Sequence, residues 1–156
     1  MKEVNIPSAL YHRLEKELEG KGVTVEDFLL DQLLESFNDY GLYSEVSREY
    51  FELGKELEAR GMLVDAGEAY WRSLAYLLKG IVSKQGFKID SYQDYFSLIE
   101  FLSYKLGDGE LVVHFVNSER LHGEFHPRPQ SEDAFKVRKE HLEKLLVKLQ
   151  ALQGKL

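Results

Sequence analysis

An all-α protein of seven helices, an antiparallel bundle preceded by a two-helix hairpin appendage, is what the sequence predicts, and three observations carry that expectation. Apolar residues recur at intervals of three and four almost throughout. The gaps between these periodic stretches are short and marked by Gly, Pro, Ser or Asp. With 156 residues and 44% apolar content, the chain has enough material for one substantial core and not for two large ones.

Residues Val4 to Pro7 read as extended, and the first helix follows from Ser8 to Glu19, stopped by Gly20 and Gly22. Thr24 opens the second as its cap, with Asp27 three residues on to answer it, and this helix runs to about Asn38 before Gly41. The third, Ser44 to Arg60, sets Val46, Tyr50, Leu53 and Leu57 on one stripe and ends at Gly61. The fourth, Asp65 to about Lys84, has a broad apolar face from Ala66 to Val82, the width expected of a central helix. Small Ala66, Ala69 and Ser73 let the third helix approach closely.

Ser91 and Asp94 form a capping pair for the fifth helix, which offers Tyr95, Phe96, Ile99, Leu102 and Leu106 to the core before Gly107-Asp108-Gly109. The sixth, Glu110 to about His122, presents Leu111, Val112, Phe115 and Val116, and Pro127-Arg128-Pro129 forbids its continuation. The last begins near Ser131 and presents Val137, Leu142, Leu145, Leu149 and Leu152. The expected organisation is an extended segment with a two-helix hairpin appendage over residues 1–42 and a helical bundle over 43–156. The two make one compact unit overall.

Composition removes several function classes. The absence of cysteine rules out disulfides, thiolate nucleophiles, iron–sulfur clusters and cysteine zinc sites. No apolar run reaches the 18 residues of a bilayer crossing, and Met1 to Leu10 has neither the basic start nor the apolar stretch of a signal peptide. A soluble, cytoplasmic protein with no membrane partner is expected. A net charge of −7 opposes coating nucleic acid by bulk electrostatics, yet the stretch from Pro127 to Leu156 carries +3 against −10 for the rest. The simplest reading of those lysines is a solvated outer face; a local basic surface is the alternative.

Two separated segments carry a family resemblance. Gly61-Met-Leu-Val-Asp-Ala66-Gly-Glu68-Ala-Tyr-Trp71, followed by Lys79, is similar to the signature helix of the archaeal PaREP family. Gly107-Asp108-Gly109-Glu110-Leu111, and Leu121-His122-Gly123-Glu124-Phe125-His126 after it, resemble that family's second signature. The resemblance covers nearly the whole chain. It implies membership of the HEPN superfamily, helical bundles that usually pair as homodimers and in many members cut RNA without a metal. Where the family has Asn, Phe, Tyr after the histidine, this chain has Glu124, Phe125 and His126, so His122 is the residue the resemblance transfers best.

The candidate catalytic residues are Arg120, His126 and His122. Arg120 and His126, with five residues between them, satisfy the superfamily's arginine–histidine ribonuclease spacing. An imidazole can take the proton of a 2′-hydroxyl while a guanidinium holds the phosphate. In an unbroken helix six positions turn through about 600°, which leaves the two side chains about 120° apart, so the helix must break between them. Against this stand plain structural readings: Arg120 pairing with Glu124, His126 as an exposed residue before proline, and His122 as a core histidine bonded to backbone.

His122 and His126 lack the His-Glu-x-x-His pattern, and no metal or cofactor is expected. Tyr70, Trp71, Tyr76, Tyr92, Tyr95 and Tyr104 read as core and interface filling rather than a base-stacking platform. The leading expectation is therefore a self-associating, homodimeric HEPN-like binding module with RNA as a possible partner. A metal-independent endoribonuclease is the first alternative. A ribbon-helix-helix DNA regulator over Lys2 to Asn38 is the last, and it is opposed by four basic against nine acidic residues up to Tyr40.

Overall fold

The computed structural model describes residues 1–123 and 131–152. Among these, seven α-helices form and no strand does: α1 (Ser8–Leu18), α2 (Val25–Phe37), α3 (Tyr40–Ala59), α4 (Leu63–Ser83), α5 (Tyr92–Leu106), α6 (Glu110–Glu119) and α7 (Glu132–Gln150). The fold is all-α, as the periodicity predicts. Two compact units are present, Met1–Asp39 and Tyr40–Leu156.

In the first unit α1 buries no residue, while α2 buries Val25 and Leu34. Thr24 caps α2 by accepting from the Asp27 amide at 3.1 Å. Asp27 answers through the Thr24 hydroxyl at 2.8 Å, so the reciprocal contact runs between side chains. The helix ends at Asn38, whose φ of 48° is a left-handed conformation that asparagine tolerates. Gly41, expected to end α2, lies instead in the first turn of α3, which starts four residues before Ser44.

The second unit is organised around α4, buried almost all round from Ala66 to Val82. Its most extensive partner is α3, joined to it by the turn at Gly61, where φ is +75°. The buried stripe of α3 is Tyr43, Ser47, Tyr50 and Gly54, rotated from the expected Val46-Tyr50-Leu53-Leu57 line. Two small residues cause the rotation. Ser47 donates to the Ser73 carbonyl at 2.6 Å, and a Cβ on Gly54 would lie 2.7 Å from the Tyr70 ring.

Ser91 and Asp94 form the expected capping box, and Ile99 and Leu102 enter the core. Leu106, Val116 and Val137, read as core from the sequence, are exposed. His114 and Ser118 take the buried positions on α6, and Phe135 and Leu146 take them on α7. Three-residue and four-residue spacings share candidates at helix ends, so the pattern alone misplaces the stripe by one position there. The core joins Trp71, Leu74, Leu78, Ile99, Leu102, Phe115, Leu121 and the leucines of α7. Of the six aromatic residues read as filling, Tyr70, Trp71 and Tyr76 are buried, whereas Tyr104 is 88% exposed.

Candidate functional site

The two signature segments meet at one place. Glu68, in the second turn of α4, reaches the turn that follows α6, where it accepts a hydrogen bond from His122 Nδ1 at 2.8 Å. Its other oxygen accepts from the Gly123 amide in a very short hydrogen bond. One carboxylate thereby holds both the ring and the backbone of residues 54 and 55 positions away.

The imidazole lies flat on Trp71, three residues after Glu68, with ring centroids 5.5 Å apart and planes 11° apart. Trp71 in turn packs edge-on to Tyr95 and tilted against Phe115 and Tyr92. This wall is apolar, and one carboxylate is set at its edge. Burial by itself would raise the Glu68 carboxyl. The hydrogen bonds from His122 and Gly123, with the charges of His122 and Arg72, outweigh burial and hold it below its ordinary value. An ionised Glu68 only accepts, so His122 carries a proton on Nδ1 in this contact.

Arg120 is the residue at which α6 stops: α6 ends at Glu119, and residues Arg120 to Gly123 continue as a turn. The break that convergence of Arg120 with a later histidine requires is therefore present before Gly123. Arg120 is exposed, its Nε 3.9 Å from Glu119 Oε1. His126, Glu124, Phe125 and Arg128 lie outside the described residues, so the Arg120–His126 pair has no described geometry. Among the described residues no group of three His, Asp or Glu side chains is arranged to hold a metal.

Three functional groups escape sequence reasoning. Glu68 lies within the first signature segment, and its place there is the signal for a role; nothing in the spacing says that it faces His122. Glu119 is only 8% exposed, and its Oε2 is buried with no hydrogen-bond partner. Burial pushes its carboxyl up, opposed only in part by Arg120. The third is a histidine pair, His114 on α6 and His141 on α7, with Nδ1 atoms 2.8 Å apart.

The other signature residues hold the frame. Asp108 accepts from the Glu110 amide at the start of α6, and Lys148 of α7 donates to Asp108 at 2.7 Å and to Glu110 at 3.1 Å. Elsewhere an open cavity of about 440 Å³ is lined by Glu58, Leu63, Phe135, Lys139 and Glu143. Glu58 there accepts from Tyr70 at 2.6 Å and from Lys139 at 2.7 Å, and among the described residues neither Arg120 nor His122 lines this cavity.

Fold and site together define an all-α bundle in which a carboxylate of the central helix pins a histidine on an aromatic wall. The model of the archaeal PaREP1/PaREP8 family matches residues 42–146, about two thirds of the chain, and the protein belongs to that family. No curated protein and no solved structure gives a significant match. Among the described residues no helix is long and apolar enough to cross a membrane.

Proposed function

We propose that the protein is a HEPN-like helical module that self-associates as a homodimer and works by binding. The observation that carries this is the apolar surface of α5 and α6. These helices pack on one another, yet Phe101 and Tyr104 on α5 and Val113 and Val116 on α6 are all exposed. Each pair is spaced i,i+3, so its members are neighbours on one helix face. Large apolar side chains grouped in this way are characteristic of protein–protein contact surfaces.

Sedimentation equilibrium at micromolar concentration tests the reading. Wild type should sediment as a dimer, and Phe101→Glu combined with Val113→Asp should sediment as a folded monomer. A monomeric wild type overturns the proposal.

Metal-independent RNA cleavage is the second reading, and the Glu68–His122 pair favours it. A carboxylate that fixes the Nδ1–H tautomer of an imidazole presents Nε2 as the basic nitrogen, the arrangement a general base needs. Arg120, two residues earlier, supplies a guanidinium suited to phosphate. The two acidic side chains nearby, Glu68 and Glu119, weaken attraction for a polyanion and favour the binding reading. On the cleavage reading, wild type cuts single-stranded RNA in EDTA and leaves a 2′,3′-cyclic phosphate. His122→Ala and His126→Ala, compared separately, identify the base. Equal activity in all three proteins removes both histidines from the reading.

A further inference from the structure

His114 and His141 stand apart from the Glu68–His122 site and play no part in either functional reading. His114 is buried on the inner face of α6; His141 is half-buried on α7. Their rings are 5.1 Å apart and inclined at 46°, and their Nδ1 atoms face each other at 2.8 Å. At that separation one nitrogen must carry a proton and the other must not. We infer that the His114–His141 pair is a proton-sensitive latch that holds α6 against α7 and, through α6, sets the position of the His122 turn.

The charges around the pair decide its sense. On the α6 side Glu110 lies with Oε2 3.9 Å from His114 Nε2, and Asp108 stands at the start of the helix. On the α7 side are His141 itself, Lys144 and Lys148, and Lys148 is engaged by Asp108 and Glu110. The two carboxylates are thus partly neutralised by a lysine before they can support a charged imidazole. Burial, then His141 and Lys148, push the His114 imidazole down, with Glu110 opposing and Lys144 adding a little. One extra proton can be accommodated on Nε2 of the donor ring, which leaves the Nδ1–H···Nδ1 bond intact. Two cannot, because two N–H groups would then oppose each other.

The unfolded chain therefore binds a proton at His114 more readily than the folded chain does. A group held below its ordinary value lends stability above the usual histidine range, and that stability disappears as pH falls. The opening is transmitted through adjacent residues. Phe115 follows His114 and packs on Trp71, and His122 at the end of the same segment stacks on Trp71. Trp71 is the single tryptophan of the chain, so its emission reports on this wall.

The experiment follows folding stability by denaturant titration and Trp71 emission between pH 7.5 and 4.5 in wild type, His141→Gln and His114→Gln. For wild type the folding equilibrium constant should fall by up to about tenfold per pH unit for each proton withheld, starting in the histidine range. Trp71 emission should shift over the same interval. In either variant the steep section should shrink and the emission change should move with it, while helical content at neutral pH is kept. If both variants fail to fold, the wild-type imidazole ¹⁵N shifts decide the matter. An N–H···N coupling between the rings that vanishes on acidification supports the latch; two rings that titrate independently overturn it. Equal pH profiles in wild type and folded variants overturn it as well.

Discussion

At the scale of single residues, Glu119 is the least comfortable group in the protein. It is a buried carboxyl whose Oε2 meets no donor, and burial raises it from its ordinary value. A carboxyl raised in the fold lends stability in its protonated form and loses that contribution as pH rises through its folded value. Replacing it with a neutral isostere removes the cost of ionisation. Glu119→Gln should therefore stabilise the protein by about 1 kcal/mol at pH 7.5, with little effect at pH 4. Denaturant titrations at the two pH values check this, and destabilisation at both would show that the carboxylate has a partner. Glu68 has the opposite sign: it lies below its ordinary value, so its contribution is present above the carboxylate range and is lost in acid. Two glutamates in one site thus respond oppositely to pH. Neither is legible from sequence, because burial and partners are set by packing between segments far apart in the chain.

At the scale of elements, the α3–α4 hairpin shows how far pattern reading reaches. Small residues at Ala66, Ala69 and Ser73 announce a close neighbour, and α3 is that neighbour. Gly54 and Ser47 on the facing helix give no apolar signal, so the stripe of α3 is placed one position away from where it lies. The consequence is testable. Gly54→Ala gains about 1 kcal/mol of helix propensity. It also places a methyl 2.7 Å from a Tyr70 ring that is fully buried and hydrogen-bonded to Glu58. Overpacking of this kind costs about 1–3 kcal/mol, so a lower melting temperature is expected. A higher one would mean that α3 and α4 are farther apart than described. Caps were easier to read: Ser91 with Asp94 and Ser131 before α7 stand where their local chemistry puts them. Helix ends without a cap signal, such as the start of α3 and the end of α6, differ from expectation by three or four residues.

At the scale of the whole molecule, the seven helices and their class follow from periodicity, whereas the site follows from what the bundle brings together. Sequence singles out His122 and Arg120 at one end of a helix and places Glu68 and Trp71 in another segment, with nothing to join them. The fold joins them, since α4 is central and the turn after α6 returns to its second turn. Residues Glu124 to Gln130, which include His126, lie outside the described residues, so the motif's second histidine stays an expectation. The central claim is that the two signature segments form one energetically coupled site through Glu68 and His122. A double-mutant cycle with Glu68→Gln, His122→Phe and the double variant measures it most directly. Phenylalanine keeps a ring on Trp71, and glutamine keeps an acceptor for the Gly123 amide. At pH 7 a coupling of about 1–3 kcal/mol is expected for a charge-assisted, partly buried pair. Additive single effects, with coupling below about 0.3 kcal/mol, would contradict it.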